Sequence, residues 1–392
     1  MAGPEVTVFA VEESSVQVAW SALPCREMTL EVGGRSYDVV ATPPDWYRRR
    51  FRRRVPPTEG GPGALTVAGL EPETNYEVLA SGSGYPRRVV ARGRTLAPVP
   101  GRRLFRFATV SDCHIGEKRV SLFYPLRDPS PRPPDLEPYP VRSARAALQE
   151  AEGWGAELVV AKGDLTSDAK EEDATTAAEL LSSVRVPVEA LLGNHDVDGP
   201  ADVAAILKQA GVAAGVEARA IDFPGFRLVI GHSPVPGLHG GRLGDRHVTD
   251  LVELAGAVSG PVVVALHHPP RRHRWNTYYP PAISWADSRA LMAGLARANP
   301  RVLVVAGHTH RNRLYRLNGV PVAEVGATKD YPGQWAGYDI HEGGIRQIVR
   351  RTEAPSVIAW TESTRWAVGG VWGWWSPGTL ADRCFTIEWP AA

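Results

Sequence analysis

Two textures of apolar and polar positions divide the 392 residues. Up to about residue 98, apolar positions alternate with polar ones in short runs at 16–20 (VQVAW), 65–67 and 76–79. Turn formers separate the runs: Gly33-Gly34, Pro43-Pro44 and Gly60-Gly61-Pro62-Gly63. Period-two alternation broken by glycine and proline marks half-buried strands joined by tight turns. It predicts an all-β sandwich over residues 1–98, with Pro98 and Pro100 in a short linker. From residue 105 the texture changes. Apolar runs at 105–111, 158–161, 187–192, 227–231, 262–266 and 302–306 alternate with helix-spaced segments at 142–152, 170–184, 200–210, 246–257 and 285–297. Near-continuous apolar strands separated by helices predict an α/β domain with buried sheets over residues 103–350. Residues 125–140 (PLRDPSPRPPDLEPYP) hold too many prolines for either element and predict a long loop, a candidate lid or substrate wall. Residues 351–392 carry six of the twelve tryptophans, and large aromatics of this kind glue an extension onto the other domains.

The stretch Leu70-Glu71-Pro72-Glu73-Thr74-Asn75-Tyr76 resembles the L-x-P-x-T-x-Y corner of fibronectin type III domains. The resemblance implies a fibronectin III-like sandwich, with Trp20 on an early strand and the Tyr76 hydroxyl bonded to nearby backbone.

Composition excludes more than it suggests. Hydrophobic residues are 43%, charged residues 22% and the formal net charge is +1, so nothing draws the whole chain to nucleic acid or an anionic membrane. The opening MAGPEVTVFAVEES has no basic segment followed by an apolar one, and no run of about 18 uncharged apolar residues occurs. Cys25, Cys113 and Cys384 lie far apart, which suits a reducing cytoplasm, with a Cys25–Cys384 bridge the one open pairing. The dense run Arg48-Arg49-Arg50-Phe51-Arg52-Arg53-Arg54 reads as a solvated edge strand rather than a nucleic-acid surface.

Five apolar runs end in residues of ligand type: Asp112-Cys113-His114, Gly163-Asp164, Gly193-Asn194-His195-Asp196, His267-His268-Pro269 and Gly307-His308-Thr309-His310. In open α/β sheets ligands gather at the carboxyl ends of strands. On an extended chain Asp112 and His114 point the same way and can grip one ion, and His308 and His310 can do likewise or serve different ions. Imidazole and carboxylate donors suit Mn, Fe or Zn better than Ca.

These segments, in this order between residues 112 and 310, resemble the calcineurin-like metallophosphoesterase pattern D-x-H, G-D, G-N-H-[DE], H and G-H-x-H. The resemblance implies a four-layer αββα sandwich holding two metal ions. It assigns Asp112, His114 and His310 to one ion, Asn194, His267 and His308 to the other, and Asp164 to both. His267 is preferred to His268, because members with a single histidine here read H-x-P with the ligand two before the proline. His195 contacts the phosphate or protonates the leaving group, held by a carboxylate such as Asp196 or Asp164. The implied chemistry is attack on phosphorus by a hydroxide that the two ions would share. Asn194, His195, His268 and Arg311 are the expected substrate contacts. Lys118, Arg119, residues 271–275, Tyr278, Tyr279 and Arg313 are further candidates. His232 has no slot in the pattern and reads as structural or substrate-facing, while His239 and Cys113 read as ordinary structural residues.

Two departures narrow the branch. Purple acid phosphatases carry a tyrosine three residues after the bridging Asp, where this chain has Ser167, and they lack a histidine at the position of His114. The motifs look closer to bacterial phosphodiesterases acting on cyclic nucleotides or glycerophosphodiesters. The expectation is a phosphodiesterase for a small diester. A phosphomonoesterase or nucleotidase, a nuclease, and last a non-catalytic scaffold are the alternatives.

Overall fold

The computed structural model describes residues 6–40, 60–120, 126–129, 132–275 and 279–390. The arginine run at 48–54 and Tyr278 lie outside them. Among the described residues seven strands come first: β1 (Val6–Val11), β2 (Ser15–Trp20), β3 (Glu27–Val32), β4 (Arg35–Val40), β5 (Gly63–Ala68), β6 (Asn75–Gly82) and β7 (Tyr85–Arg94). They form two antiparallel sheets, ordered β1-β2-β5 and β4-β3-β6-β7. Alternate residues face a shared core, with Leu30 and Val32 of β3 against Val18 and Trp20 of β2 and Val78 and Ala80 of β6. The Tyr76 hydroxyl departs from the corner expected of it. It is buried and finds no hydrogen-bond partner among the described residues. Thr95 closes the turn instead, its hydroxyl donating to the Glu71 carbonyl at 2.6 Å and accepting from the Thr74 amide at 2.8 Å.

The rest is a mixed α/β region built on two further sheets. Its first half runs β8 (Arg103–Val110), α1 (Tyr139–Gly153), β9 (Val159–Lys162), α2 (Glu171–Ser182), β10 (Val188–Leu191) and α3 (Val203–Gln209). The second half runs β11 (Arg219–Phe223), β12 (Phe226–Ile230), α4 (Gly244–Gly256), β13 (Val262–Ala265), α5 (Trp285–Ala298), β14 (Val302–Ala306), β15 (Arg313–Leu317) and β16 (Val320–Glu324). Then come β17 (Gln334–His341), β18 (Gly344–Arg351), α6 (Pro355–Thr364), α7 (Val371–Trp375), α8 (Leu380–Arg383) and β19 (Phe385–Glu388). The sheets are ordered β10-β9-β8-β17-β18-β19 and β11-β12-β13-β14-β16-β15. Strands β8, β9 and β10 are mutually parallel, as are β12, β13, β14 and β16.

Successive residues of a strand face different cores. Phe107 of β8 and Val263 of β13 meet in a core shared by both sheets. Their neighbours Ala108 and Val264 lie under the helices, Ala108 with α1 to α3 and Val264 with α4 and α5. Strands buried on both faces need apolar residues at every position, which is why these runs show no alternation.

The proline-rich stretch is shorter than expected. Helix α1 begins at Tyr139, so Pro140 sits in its first turn, where a missing N–H breaks no helical bond. The Asp128 carboxylate pins the preceding loop by accepting from the Tyr139 amide at 2.9 Å and the Arg142 guanidinium at 2.8 Å. Near the other end, β19 pairs with β18, and buried Trp360 stacks on Tyr139 at 4.0 Å between centroids. Trp366 and Trp374 stay exposed. The N-terminal sheets dock through buried Gln17, which accepts from the Arg351 amide and donates to the Arg351 carbonyl, both at 2.8 Å. All three cysteines are free thiols, which closes the Cys25–Cys384 question.

Candidate metal centre

The carboxyl ends of β8, β9 and β10 in one sheet and of β13 and β14 in the other meet at one place. Past β8 and β9 the two chains continue side by side. The amides of Asp112, His114 and Ile115 donate to the carbonyls of Gly163, Asp164 and Leu165 at 3.0, 2.9 and 2.8 Å. These segments are not extended, as the alternation argument assumed. Asp112, His114, Asp164, His308 and His310 have φ of 54°, 49°, 49°, 68° and 50°. Each left-handed non-glycine residue costs on the order of 1 kcal/mol, and clustering of such residues is typical of functional sites. The turns, rather than strand pleating, aim these side chains inward. Two glycines leave the room. A Cβ at Gly163 (φ +84°) would lie 2.7 Å from His267 Nδ1, and one at Gly193 would lie 2.1 Å from Asp164 Oδ1.

Donor atoms collect in overlapping groups, with ligand atoms within 4.8 Å in each. One holds Asp112, His114 and His310, another His267, His268 and His308. Asp164 joins His114 and His195 in a third and Asp112 and His267 in a fourth. Its Oδ2 lies 3.6 Å from His114 Nε2 and 3.3 Å from His267 Nε2, between the two sides. Asn194 is buried beside Gly193, and its Oδ1 has no hydrogen-bond partner among the described residues.

The outer nitrogen of several imidazoles is committed. His267 Nδ1 pairs with the Lys162 carbonyl at 2.8 Å, His310 Nδ1 with Asp330 at 2.7 Å and His308 Nε2 with the Pro281 carbonyl at 3.0 Å. Each such bond fixes which nitrogen is left to face the centre. Buried Nε2 atoms of His114, His267 and His268 have no hydrogen-bond partner among the described residues. Nitrogens and an amide oxygen stranded in this way fit divalent cations, because unpaired buried polar atoms are costly.

Electrostatics agrees. Burial opposes charge on His267 and His310, but Asp164 lifts the first to about 9, and Asp330 with Asp112 lifts the second to about 10. Burial likewise opposes ionisation of Asp112 and Asp164, yet His310 and His267 hold both carboxyls well below the usual range. Without metal, these shifts favour carboxylates at Asp112 and Asp164 and imidazoliums at His267 and His310. Burial keeps His308 neutral, down to about 3.

Two expected roles change. Among the described residues Asp196 makes no hydrogen bond to the His195 ring. Its carboxylate accepts from the amides of Gly193, Leu165 and Thr166 at 2.9, 3.1 and 2.8 Å and from the Thr166 hydroxyl at 2.9 Å. It clamps the Asp164 loop to the Asn194 loop, and its short side chain is used up doing so. Burial and the charge on Asp164 push it to about 6. The Ser167 carbonyl holds His195 Nδ1, at 2.7 Å. Arg311 is also displaced from its expected role. It is buried, bonded through Nε to Glu324 at 3.3 Å and stacked on Trp375 at 4.9 Å. His268 is buried with Nδ1 on the Ser233 hydroxyl at 2.9 Å, in the group with His267 and His308. Arg272 and Arg313 lie over the Tyr315 ring, while Trp275 and Tyr279 are exposed. His232 pairs its amide with His247 Nε2 at 2.9 Å, apart from the metal groups.

Three supporting residues were not foreseen. Asp330 backs His310, and Lys329 bridges Asp330 (3.9 Å) to Glu117. Lys162 is fully buried, donates to the Ala306 carbonyl at 2.8 Å across the two sheets, and is pulled down to about 7 by burial. A lysine closing the apolar run before Gly163-Asp164 was a visible signal; Lys329-Asp330 had none.

A family model described as calcineurin-like phosphoesterase matches residues 105–312, more than half of the chain. The chain belongs to that family. A probable cyclic nucleotide phosphodiesterase of Rhodococcus erythropolis is 25% identical over 183 residues, 45% of this chain and 59% of that protein. The glycerophosphodiester phosphodiesterase GpdQ of Enterobacter lignolyticus is 28% identical over 180 residues, 44% of this chain and 62% of that protein. This calcineurin-like phosphoesterase therefore spans about three fifths of the length of these curated relatives. A purple acid phosphatase from yellow lupin seeds aligns with 90% of this chain and 72% of its own at 14% identity, with a TM-score of 0.43. Among the described residues no helix is long and apolar enough to cross a membrane.

Proposed function

We propose that this chain is a dinuclear metal-dependent phosphoesterase that hydrolyses a small phosphodiester. The observation that carries the reading is Asp164 Oδ2, poised between His114 Nε2 and His267 Nε2 at 3.6 and 3.3 Å. A carboxylate there is placed to join two cations. Asp112, His114 and His310 would hold one ion, and Asn194, His267 and His308 the other, with His268 beside the second. When bound, the ions supply Lewis acidity and a nucleophile at neutral pH. The protein supplies orientation. The Ser167 carbonyl accepts a hydrogen bond from His195 Nδ1–H, which leaves Nε2 to hold or deliver the proton of the leaving oxygen. Asp196, through four hydrogen bonds, keeps the Asp164 and Asn194 loops in register. The two phosphodiesterase-named relatives favour a diester over a monoester.

We also read the paired six-stranded sheets with their outer helices as a four-layer αββα sandwich. In our reading residues 1–98 are a fibronectin III-like domain, 103–350 the catalytic domain and 351–392 an extension. The test is metal content and turnover. The metal-loaded protein should bind about two ions per chain and hydrolyse bis(p-nitrophenyl) phosphate faster than p-nitrophenyl phosphate. The variant Asp164→Ala should lose both ions and activity. Monoester preference, or near-normal turnover by Asp164→Ala, would refute the diester and bridging assignments respectively.

A further inference from the structure

Beside the centre, on the side of His114 and His195, lies a cleft of about 530 Å³ that the mechanism does not use. Its inner wall is continuous with the site. Ser167 lines it and holds the His195 ring through its carbonyl. Glu117 lines it and donates its amide to the His114 carbonyl at 3.0 Å. The cleft is rich in cations: Lys118, Arg119, Arg127 and Lys170. Its two acids are already engaged, Glu117 by Lys329 and Tyr139, and Asp168 by Lys170 at 3.2 Å. Lys118, Arg119 and Arg127 have no ion pair among the described residues. Asp173, next to Gly116, offsets part of that charge. A cleft of this size holds a small organic group, and uncommitted guanidinium and ammonium groups select an anion.

We propose that this cleft is a subsite for a second anionic group of the substrate, so that the preferred ester carries a further phosphate or carboxylate. The proposal rests on the phosphoesterase reading and narrows its substrate class. No residue of the metal groups takes part, so the subsite tunes selection between esters rather than the chemistry itself.

Thymidine 5′-(p-nitrophenyl phosphate) and the same ester bearing a 3′-phosphate differ only in the second anion. The metal-loaded full chain should favour the 3′-phosphorylated ester in kcat/KM by about tenfold or more. The double variant Arg119→Glu/Arg127→Glu should bring that ratio to about one or below. The ratio is taken on one preparation, so a reduced folded fraction cancels. Calorimetric binding of thymidine 3′,5′-bisphosphate against thymidine 5′-phosphate provides a second arm independent of turnover. A wild-type preference near one in both arms, or a preference unaffected by the double variant, overturns the subsite. Preferential binding lost in the variant, with no turnover of either ester by the wild type, upholds the subsite and overturns the phosphoesterase reading.

Discussion

Replacing Asp196 by alanine should destabilise the fold far more than a surface acid would. The carboxylate is 2% exposed and accepts from three backbone amides and one hydroxyl between 2.8 and 3.1 Å. An orphaned buried donor costs about 1–3 kcal/mol, so three amides set a range of about 3–9 kcal/mol. Water entering the vacated space re-pairs some of them, which places the expected loss near the lower end, about 3–5 kcal/mol. That is a large share of the 5–15 kcal/mol typical of a folded domain. The variant Asp196→Asn keeps one acceptor oxygen but turns an NH₂ toward the amides, and should lose about 1–3 kcal/mol. Urea unfolding at pH 7.5 of the metal-free variants, with slopes compared to wild type, measures this. A loss under about 1 kcal/mol for Asp196→Ala would refute the clamp. So would normal stability and metal content combined with a collapse in turnover, which would restore a chemical role.

Three further outcomes follow from the same geometry. Asp330→Asn, which weakens the partner of His310 Nδ1 at 2.7 Å, should lower metal affinity about 10–100-fold, measured by competition with a chelating dye. In the metal-free protein His267 and His310 titrate near 9 and 10, above the unfolded value of about 6.5. Their stabilising contribution is therefore complete below about pH 6.5 and lost as pH rises through 9 to 10, so the apo Tm should fall across that window. Metal loading should flatten the slope and release about two protons at neutral pH, read by calorimetry in buffers of different ionisation enthalpy. Tyr76→Phe removes a buried hydroxyl that has no partner among the described residues and should change stability by under about 1 kcal/mol in either direction. A larger loss in urea unfolding would mean that the hydroxyl is bonded after all.

The centre was more legible in the sequence than the sheets that carry it. Strand ends such as Gly163-Asp164 and Gly307-His308 announce themselves, because a short apolar run stops abruptly at ligand residues. The hairpin of β17 and β18 gave no comparable signal. Its residues are buried on both faces, so apolar and polar positions follow no period, and buried Gln334, Asp339, Arg346 and Gln347 break the apolar run. The role given to Asp196 failed for a different reason. A motif fixes which residues are neighbours in the chain, but not which way a carboxylate turns, and here the amides of Leu165 and Thr166 from another loop decide it. Asp330 was invisible for the same reason, since it reaches His310 only through the tertiary fold.

The pairing of β19 with β18 also sets an order of events during synthesis. Strand β18 is an open edge until residues 385–388 emerge from the ribosome. At about 5–20 residues per second, this strand edge stays unpaired for seconds. The residues just before β19 also stitch down β1, the first of the described strands. Arg383 Nε donates to the Phe9 carbonyl at 2.8 Å, and the Val11 amide meets Cys384 Sγ at 3.3 Å. The earliest and latest parts of the described chain therefore lock each other, and nascent chains stalled before residue 385 should be strong clients for chaperones that shield strand edges.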